Sequence, residues 1–433
     1  MKAESETHSA GAPRIKSILG SFQGFGGGAL RRPTLDEMNR VFTVIVLGWA
    51  GVVGSVVSIL FIGAILHAFL RLFQRKIALP ADRGVWAIAV AFVFYCAADA
   101  ISGTVNYDGW NTLSEVVETL PFLGFAFVYG RLSLSERKDV LNSVEFAAIS
   151  GSYLTLILVI FEFAFTGHVR AEGMAGNSGV LALIAAILYG FCLLSTVRRQ
   201  GKLRWLALTA AVAAGTTLLL TGTRALWPFL VIAPFIPLAI LRPRINWPVA
   251  RKAALIAMLP IIAVAYLTFH MVEARFEAIV NDFEKIESGD YNSSIGDRLI
   301  LWRNGLDLAA ERPILGQGPG AAQGPDSKTI GYTHFHNFLL NAMVRSGLLG
   351  VAAILGMFIV PLWVLIRRRH DEVSQFGIAI LVTVQTAFLL SGSVGIMLGH
   401  DIHDALFIYA TITASFLVLG GRRPGPEGYV SVA

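Results

Sequence analysis

Arg224 is the basic residue whose position most strongly suggests chemistry. It lies in TGTRALW, residues 221–227, between two apolar runs with almost no polar loop around it. A guanidinium in such a place is either paired within the protein or kept for an anionic ligand. Arginine suits a phosphate, because its planar fork donates two parallel hydrogen bonds and stays charged at any working pH. The position favours the ligand.

Two more arginines fall on the same side of the topology derived below. Arg170 stands in HVRAEGMAGNSG, residues 168–179, and Arg298 follows the predicted start of a helix. Three arginines on one side of a membrane can converge on one phosphate group. Taken alone, however, Arg298 is more typical of a solvated helix surface.

His334 and His336 flank Phe335 in THFHN, residues 333–337. A neutral imidazole is available as a general base at pH 7, because the ordinary pKa of histidine is about 6.5. His336 is the stronger candidate, since it directly precedes Asn337 at the start of an apolar helix, where packing can fix its ring. A histidine at a helix start can also be a cap or a surface residue, and an HxH pair can bind a metal ion.

The remaining polar groups at the apolar runs favour structural roles. GHDIHD, residues 399–404, resembles a metal site on paper, but a short loop with two acids and two histidines is weak evidence. Cys96 and Cys192 lie inside apolar runs, which predicts packing rather than a disulfide or metal site. Three acids fall toward the outer helix ends, as counter-ions to the arginines or as sugar contacts: Asp99, Glu118 and Glu162.

The composition excludes a soluble protein. Of 433 residues, 55% are hydrophobic and 15% are charged, whereas a soluble fold needs roughly 25% charged residues. Spans of about 20 residues would divide the hydrophobic fraction into roughly twelve membrane helices. The net charge of +6 comes from basic clusters between the apolar runs, which indicates membrane topology rather than binding to nucleic acid. The sequence predicts an all-α polytopic membrane protein.

The basic residues set the predicted orientation. Gly48, Gly51 and Gly54 divide the apolar run 41–70 into a hairpin of two helices. On this twelve-span topology, 26 of the 35 Lys and Arg residues fall on one side, which is therefore cytoplasmic. Both termini lie on that side, and residues 1–40 are predicted to be a disordered tail. The predicted spans are 41–51, 53–70, 85–102, 114–130, 140–165, 179–196, 205–222, 225–241, 253–271, 347–366, 376–395 and 405–420.

Residues 272–346 form a large outer loop, too long for a simple connection. Its first part, 272–289, predicts an amphipathic helix at the membrane surface. A second helix is predicted to begin with Asp297 as its N-cap and to stop before Pro313, and GQGPG at 316–320 predicts a turn. The chain thus divides into the tail 1–40, spans one to nine in 41–271, the outer loop 272–346, spans ten to twelve in 347–420, and a cytoplasmic tail 421–433.

The motifs of this outer side resemble those of the O-antigen ligase and polymerase superfamily. SSIGDRLILWRNGLDLAAERPILGQGPG (293–320) resembles its R-x-x-x-W pattern followed by P-x-x-G-x-G, and THFHNFLLNAMVRSGLLG (333–350) resembles its HN-x-x-L segment. TGTRA resembles a Thr-x-Ser-Arg element with Thr223 where serine is usual. VRAEGMAGNSG resembles an R-x-x-G and Asn element with Ser178 where proline is common.

The resemblance implies a GT-C-type glycosyltransferase of the bacterial inner membrane, with its active site facing the periplasm and 272–346 as a periplasmic catalytic loop. The donor would be a glycan linked to undecaprenyl pyrophosphate. A ligase transfers it to a lipid A–core sugar, and a polymerase to another glycan. Arg224 and Arg298 would hold the pyrophosphate, Arg170, Asn337 and His334 would be further substrate contacts, and His336 would be the general base. The family is regarded as metal-independent, so no cofactor and no metal site are expected.

Two other functions compete with this interpretation. A polymerase would use the same chemistry, and we favour the ligase because the loop is compact. A polysaccharide or lipid transporter would need polar groups near the middle of the membrane and repeat symmetry, whereas the polar groups here gather at the outer end. A non-catalytic scaffold would leave Arg224 without a role.

Overall fold

A computed structural model describes residues 33–167, 170–241, 277, 280–282, 284–291, 293–321, 334–395 and 397–420 of the chain. These residues contain no strand and are mostly helical. The helices are α1 (Leu35–Gly48), α2 (Ala50–Val53), α3 (Val56–Phe73), α4 (Arg83–Val105), α5 (Gly109–Glu118), α6 (Phe125–Leu132), α7 (Arg137–Thr166), α8 (Ser178–Arg198), α9 (Lys202–Leu220), α10 (Trp227–Ile232), α11 (Phe235–Leu241), α12 (Ser294–Glu311), α13 (Phe338–Arg367), α14 (Glu372–Gly392) and α15 (Asp401–Leu419).

The helices confirm the predicted all-α polytopic membrane protein. Among the described residues, nine helical segments are long and apolar enough to cross a membrane. The count rises to ten if the pair Arg224–Ile232 and Phe235–Leu241, bent by 40° beside Pro234, is one broken span. The predicted span 253–271 lies outside the described residues.

The run 41–70 is divided where its glycines predicted. Helices α1 and α2 follow one another with a break at Trp49, and Gly54 then adopts φ +60 before α3 begins. A Cβ on Gly54 would lie 2.2 Å from the Met174 carbonyl oxygen, so only glycine fits this turn. The segment α1–α2 and helix α3 are therefore separate elements that meet at one end of the bundle.

We call that end the site end; it carries the segments 54–55, 106–108, 170–177, 221–223, 312–321 and 397–400. Hydrogen bonds join these segments to one another. The Arg170 Nε donates to the Thr221 carbonyl oxygen at 2.9 Å, and the Asn106 Nδ2 donates to the Gly316 carbonyl oxygen at 3.2 Å.

The opposite, basic end carries the segments 74–82, 133–136, 199–201 and 368–371. Arg137 donates to the Asp371 carboxylate at 2.8 Å, which ties the start of α7 to the start of α14. Arg198 and Arg199 both bind the buried Glu145 carboxylate. Four predicted cytoplasmic clusters that the structure describes, 71–84, 131–139, 197–204 and 367–375, thus gather at this end.

Two central helices, α8 and α15, are buried almost completely. A helix that is apolar on all faces packs in the interior of a bundle, which explains their weak amphipathicity. Thr43 of α1 shares a 2.6 Å hydrogen bond with the Tyr409 hydroxyl of α15, which joins α1 to the centre of the bundle. The outer helices turn large apolar side chains outward, as expected of lipid-facing positions.

The predicted loop helix is present, but its predicted N-cap is wrong. Helix α12 begins at Ser294, and the Ser293 hydroxyl oxygen accepts a hydrogen bond from the Gly296 N–H at 3.1 Å. Asp297 lies in the first turn, where a carboxylate interacts favourably with the helix dipole without capping it. The helix ends at Glu311, before Pro313, as predicted. Within the predicted surface helix at 272–289, residues 277, 280–282 and 284–287 are helical, and residues 272–276, 278–279 and 283 lie outside the described residues.

The orientation of the bundle can be tested by cysteine labelling. Ala78→Cys places a thiol in an exposed position of the basic end, and the native Cys96 and Cys192 are buried. In intact spheroplasts we expect an impermeant maleimide to leave this thiol unlabelled and to label Asn111→Cys at the site end. Labelling of residue 78 from outside would reverse the topology of the α1–α3 hairpin.

Candidate functional site

Arg170 and Arg224 belong to two loops that the structure joins. The Arg170 guanidinium donates to the Thr221 carbonyl oxygen at 2.9 Å and to the Thr223 hydroxyl at 3.2 Å. The Thr223 hydroxyl in turn donates to the Ser178 carbonyl oxygen at 3.3 Å. Arg224 follows directly and opens a short 3₁₀ helix with an exposed side chain. The structure thus joins the two loops that carry these arginines, and the predicted convergence of the arginines on one phosphate stays a prediction.

A half-buried carboxylate holds the Arg170 loop. Glu162, near the end of α7, accepts hydrogen bonds from the backbone N–H of Glu172 at 3.0 Å and of Gly173 at 2.8 Å. These bonds order the loop, and the predicted role of Glu162 as a counter-ion or a sugar contact stays a prediction. Asn177 then caps α8 through the Gly179 and Val180 N–H groups.

The histidine segment is anchored by the residue between the histidines. Phe335 is completely buried and packs with Leu301 and Ala309 of α12. The Trp302 Nε1 donates to the Phe335 carbonyl oxygen at 2.9 Å. A buried aromatic with a fixed carbonyl leaves its neighbours little freedom, so α12 determines where both imidazoles lie.

The two imidazoles lie in contact, with ring centroids 4.2 Å apart. His336 has φ +49, a left-handed conformation that is uncommon for any residue other than glycine. Such conformations persist only where the surroundings enforce them, and they are frequent at functional sites. Here the enforcement comes from Phe335 on one side and from the capped helix α13 on the other.

The surroundings of His336 favour its neutral form. Burial lowers its pKa to about 4, with further lowering from His334 and from the Arg298 guanidinium, while a hydrogen bond to the Val394 backbone acts in the opposite direction. Burial also lowers the pKa of His334. His336 is therefore uncharged at neutral pH and can accept a proton. The charge of Arg298, in the first turn of α12, acts on this imidazole.

Asn337 is the N-cap of α13. Its side-chain oxygen accepts hydrogen bonds from the Leu339 and Leu340 N–H groups, each at 3.1 Å. This oxygen satisfies two of the backbone donors that every helix start leaves open. Its predicted contact with substrate stays a prediction.

Helix α13 is broken at Ser346 and Gly347, and the segment after α12 fills the break. The N–H groups of Gln317 and Gly318 donate to the Val344 and Arg345 carbonyl oxygens at 2.7 and 3.1 Å. In return, the Leu348 N–H donates to the Pro313 carbonyl oxygen at 2.8 Å. The predicted turn at GQGPG is present, with positive φ at Gly316 and Gly318. The turn is thus fixed by backbone pairing with α13.

An ion-pair network lies under this break and was not predicted from the sequence. Arg345 binds Asp99 at 3.0 Å and Glu115 at 2.6 Å, and the Ser346 hydroxyl also donates to Asp99. Asp99 is only 3% exposed. It was predicted as a counter-ion to an arginine, but Arg345 had no predicted role. The available signal was that a buried acid in one apolar run requires a basic partner in another.

A cleft at the site end lies between α4, α13 and the segment after α14. Its cavity volume is about 20 Å³, room for roughly one water molecule, and His334, Asn341 and Arg345 are among its lining residues. The cleft lies between His334 and the Asp99–Arg345 pair.

The acids and histidines of GHDIHD have structural contacts. The Asp404 carboxylate accepts from the Gly399 N–H at 3.0 Å, and His400 lies 3.1 Å from Asp401. His403 is 2% exposed and packs edge-on against Phe388. Within the described ranges, no three His, Cys, Asp or Glu side chains are arranged to hold a metal ion.

The predicted residues form two groups at the site end. Arg170 and Arg224 share one pair of loops, and Arg298 acts on His336 beside His334 in the other group. Both groups contact the same part of the bundle: the 3₁₀ helix of Arg224 packs against α14, and His336 bonds to Val394 just beyond it.

Gly347→Ala should destabilise the fold, because Gly347 has φ +62 and a Cβ there would lie 2.3 Å from the Ile314 carbonyl carbon and oxygen. The strain corresponds to about 1–3 kcal/mol, before any displacement of the turn. Thermal unfolding in detergent should show a lower Tm. Gly356→Ala in the same helix meets no neighbouring atom and is the matched control. Equal Tm values for the two variants would mean that the break does not depend on glycine.

Comparison with known proteins agrees with this geometry. Residues 209–355 match the family model described as O-antigen ligase. The match contains Arg224, Arg298 and both histidines, and Arg170 lies before it. An uncharacterized protein from Haemophilus influenzae is 24% identical over 307 residues, which cover 65% of this chain and 73% of that protein. Residues 209–355 are thus similar to the O-antigen ligase family, in agreement with the resemblance of the sequence motifs.

Proposed function

We propose that this protein is a glycosyltransferase of the bacterial inner membrane that works at the periplasmic face. It moves a glycan from undecaprenyl pyrophosphate to a hydroxyl group of a lipid A–core sugar, and no metal ion takes part. The observation that carries this proposal is the pairing of Arg298 with a neutral, conformationally fixed His336 inside the segment that matches the O-antigen ligase family. The family consists of membrane ligases and polymerases, which agrees with this reaction class.

The arginines supply the leaving-group side of the reaction. As the anomeric carbon forms a bond to the acceptor oxygen, its bond to the pyrophosphate oxygen breaks, and the leaving pyrophosphate takes the electron pair. Arg224 and Arg298 stabilise the negative charge that grows there, as preorganised donors do in other transfer reactions. Arg170 is an additional contact, brought to the Arg224 loop by its bonds to Thr221 and Thr223. Asn337 and His334 are further substrate contacts beside the base.

His336 takes the proton of the acceptor hydroxyl. A pKa of about 4 keeps the imidazole neutral but also makes it a weak base. Bound pyrophosphate neutralises the charge of Arg298, which removes one of the causes that lower this pKa. The base therefore becomes stronger when the donor is in place. An in-line attack from the face opposite the pyrophosphate gives inversion at the anomeric carbon.

Arg224→Lys and Arg298→Lys should each lose roughly tenfold or more in transfer rate, since one ammonium cannot reproduce the bidentate fork. The measurement is transfer by purified variants of a glycan linked to undecaprenyl pyrophosphate. Arg303→Lys, an exposed arginine on the same helix as Arg298, is the matched control and should be unaffected. Full activity of both lysine variants would contradict a role in binding pyrophosphate.

His336→Ala should reduce the transfer rate by roughly 10²-fold or more, which is the usual scale for loss of a general base. The KM for the donor should change little, because the arginines remain. His334→Ala should cost far less. A parallel assay with EDTA tests the proposal that no metal takes part. Normal transfer by His336→Ala, or complete inhibition by EDTA alone, would exclude this mechanism.

A polymerase is the second candidate, because the same chemistry can extend a glycan. Deletion of the gene in a strain that makes long lipopolysaccharide chains separates the two functions on a gel. Loss of all long chains, with carrier-linked polymer accumulating, is expected for a ligase. Core bearing a single repeat would identify a polymerase instead.

A further inference from the structure

The cleft at the site end contains polar groups that the reaction described above does not use. Its lining includes Tyr95 and Asp99 of α4 and Asn341 and Arg345 of α13, together with His334. Apolar side chains, among them Phe338, cover the rest of its wall. A space of this size beside fixed polar groups admits a water molecule or one hydroxyl group of a larger ligand.

The charges of this cleft compensate each other. The Arg345 guanidinium is bound to Asp99 at 3.0 Å and to Glu115 at 2.6 Å, and Asp99 also accepts from Ser346. A cation engaged by two carboxylates does not favour a phosphate ligand. The cleft therefore suits an uncharged, hydrogen-bonding molecule rather than the pyrophosphate of the donor.

One acceptor atom in the cleft lacks a partner in the described part of the chain. The Asn341 Oδ1 is buried and receives no hydrogen bond from any described residue. A buried polar atom without a donor is costly, and such atoms usually meet an ordered water or a ligand. Tyr95 adds a phenolic hydroxyl, which can both donate and accept, on the facing helix.

The position of the cleft relates it to the proposed base. His334 lines the cleft, and its ring lies 4.2 Å from the ring of His336, measured between centroids. A molecule in the cleft thus approaches the base from the side of His334. The donor's pyrophosphate, in contrast, is expected at Arg298 and Arg224.

We propose that this cleft is the part of the acceptor subsite that receives one hydroxyl group of the acceptor sugar: the Asn341 Oδ1 accepts a hydrogen bond from this hydroxyl group, and the Tyr95 hydroxyl makes a second bond. The ligand class is a neutral sugar rich in hydroxyl groups. The inference rests on the proposed transferase function and adds residues that select the acceptor. Asn341 and Tyr95 are binding residues and do not touch the leaving group.

The test separates the KM values of the two substrates. With lipid A–core as acceptor and a glycan linked to undecaprenyl pyrophosphate as donor, Asn341→Ala should raise the acceptor KM roughly 3- to 10-fold, as expected for one lost neutral hydrogen bond. The donor KM should stay the same. Tyr95→Phe, which removes only the hydroxyl, should act in the same direction. Asn111→Ala, at an exposed asparagine of the same end, is the control and should change neither value.

Alanine keeps the helix at position 341, where the backbone N–H bonds to the Asn337 carbonyl oxygen, and Tyr95→Phe provides an independent variant. Unchanged acceptor KM in both variants, or an equal rise of both KM values, would overturn the acceptor subsite while leaving the transferase function intact. Absence of transfer by the unmodified protein would instead overturn the proposed function itself.

Discussion

The site end depends on a break in a membrane helix whose backbone groups are paired with another segment. Ser346 and Gly347 interrupt α13, and an unpaired N–H or C=O group at this depth would cost several kcal/mol. The segment that follows α12 supplies the partners, through Pro313, Gln317 and Gly318. Because this exchange fixes the end of α12 against α13, it also fixes Trp302, the Phe335 carbonyl that Trp302 holds, and the imidazole that follows.

The arginines of the site end differ in their surroundings. Arg345 is neutralised by carboxylates and stabilises the break, while Arg224 opens its short helix with an exposed side chain. Arg170 bonds to the Thr221 carbonyl oxygen and to the Thr223 hydroxyl, which fix the direction of its guanidinium. The two carboxylates on Arg345 hold the helix break together, whereas the backbone and hydroxyl partners of Arg170 join two loops of the site end.

Much of this fold follows from apolar runs and glycines, which are local signals. The length and composition of the runs predicted the membrane helices, and Gly48, Gly51 and Gly54 predicted the division of the run 41–70. The structure adds the reason at Gly54, where no other residue fits beside Met174. The end of α12 was likewise predicted from a local signal, Pro313. The N-cap of α12 was misjudged because Ser293 and Asp297 are both good caps, and only the geometry of the preceding chain distinguishes them.

The partnerships between distant residues could not be read from the sequence. Asp99 and Arg345 are 246 positions apart, and no spacing rule connects two charges on different helices. The roles of Asn337 and Glu162 show the same limit, since a polar side chain near a predicted site can equally well bind a backbone N–H. His336 was singled out by its position before an apolar helix, but its left-handed backbone and its contact with His334 depend on α12.

The hydrogen bond from the Gly318 N–H to the Arg345 carbonyl oxygen and the packing of Phe335 on α12 have an evolutionary consequence. Residues 322–333 connect two points that are both fixed to the helices, so a change in their number need not move either point. Related chains can therefore differ in the length and composition of this stretch while one unchanged arrangement of the site end is inherited.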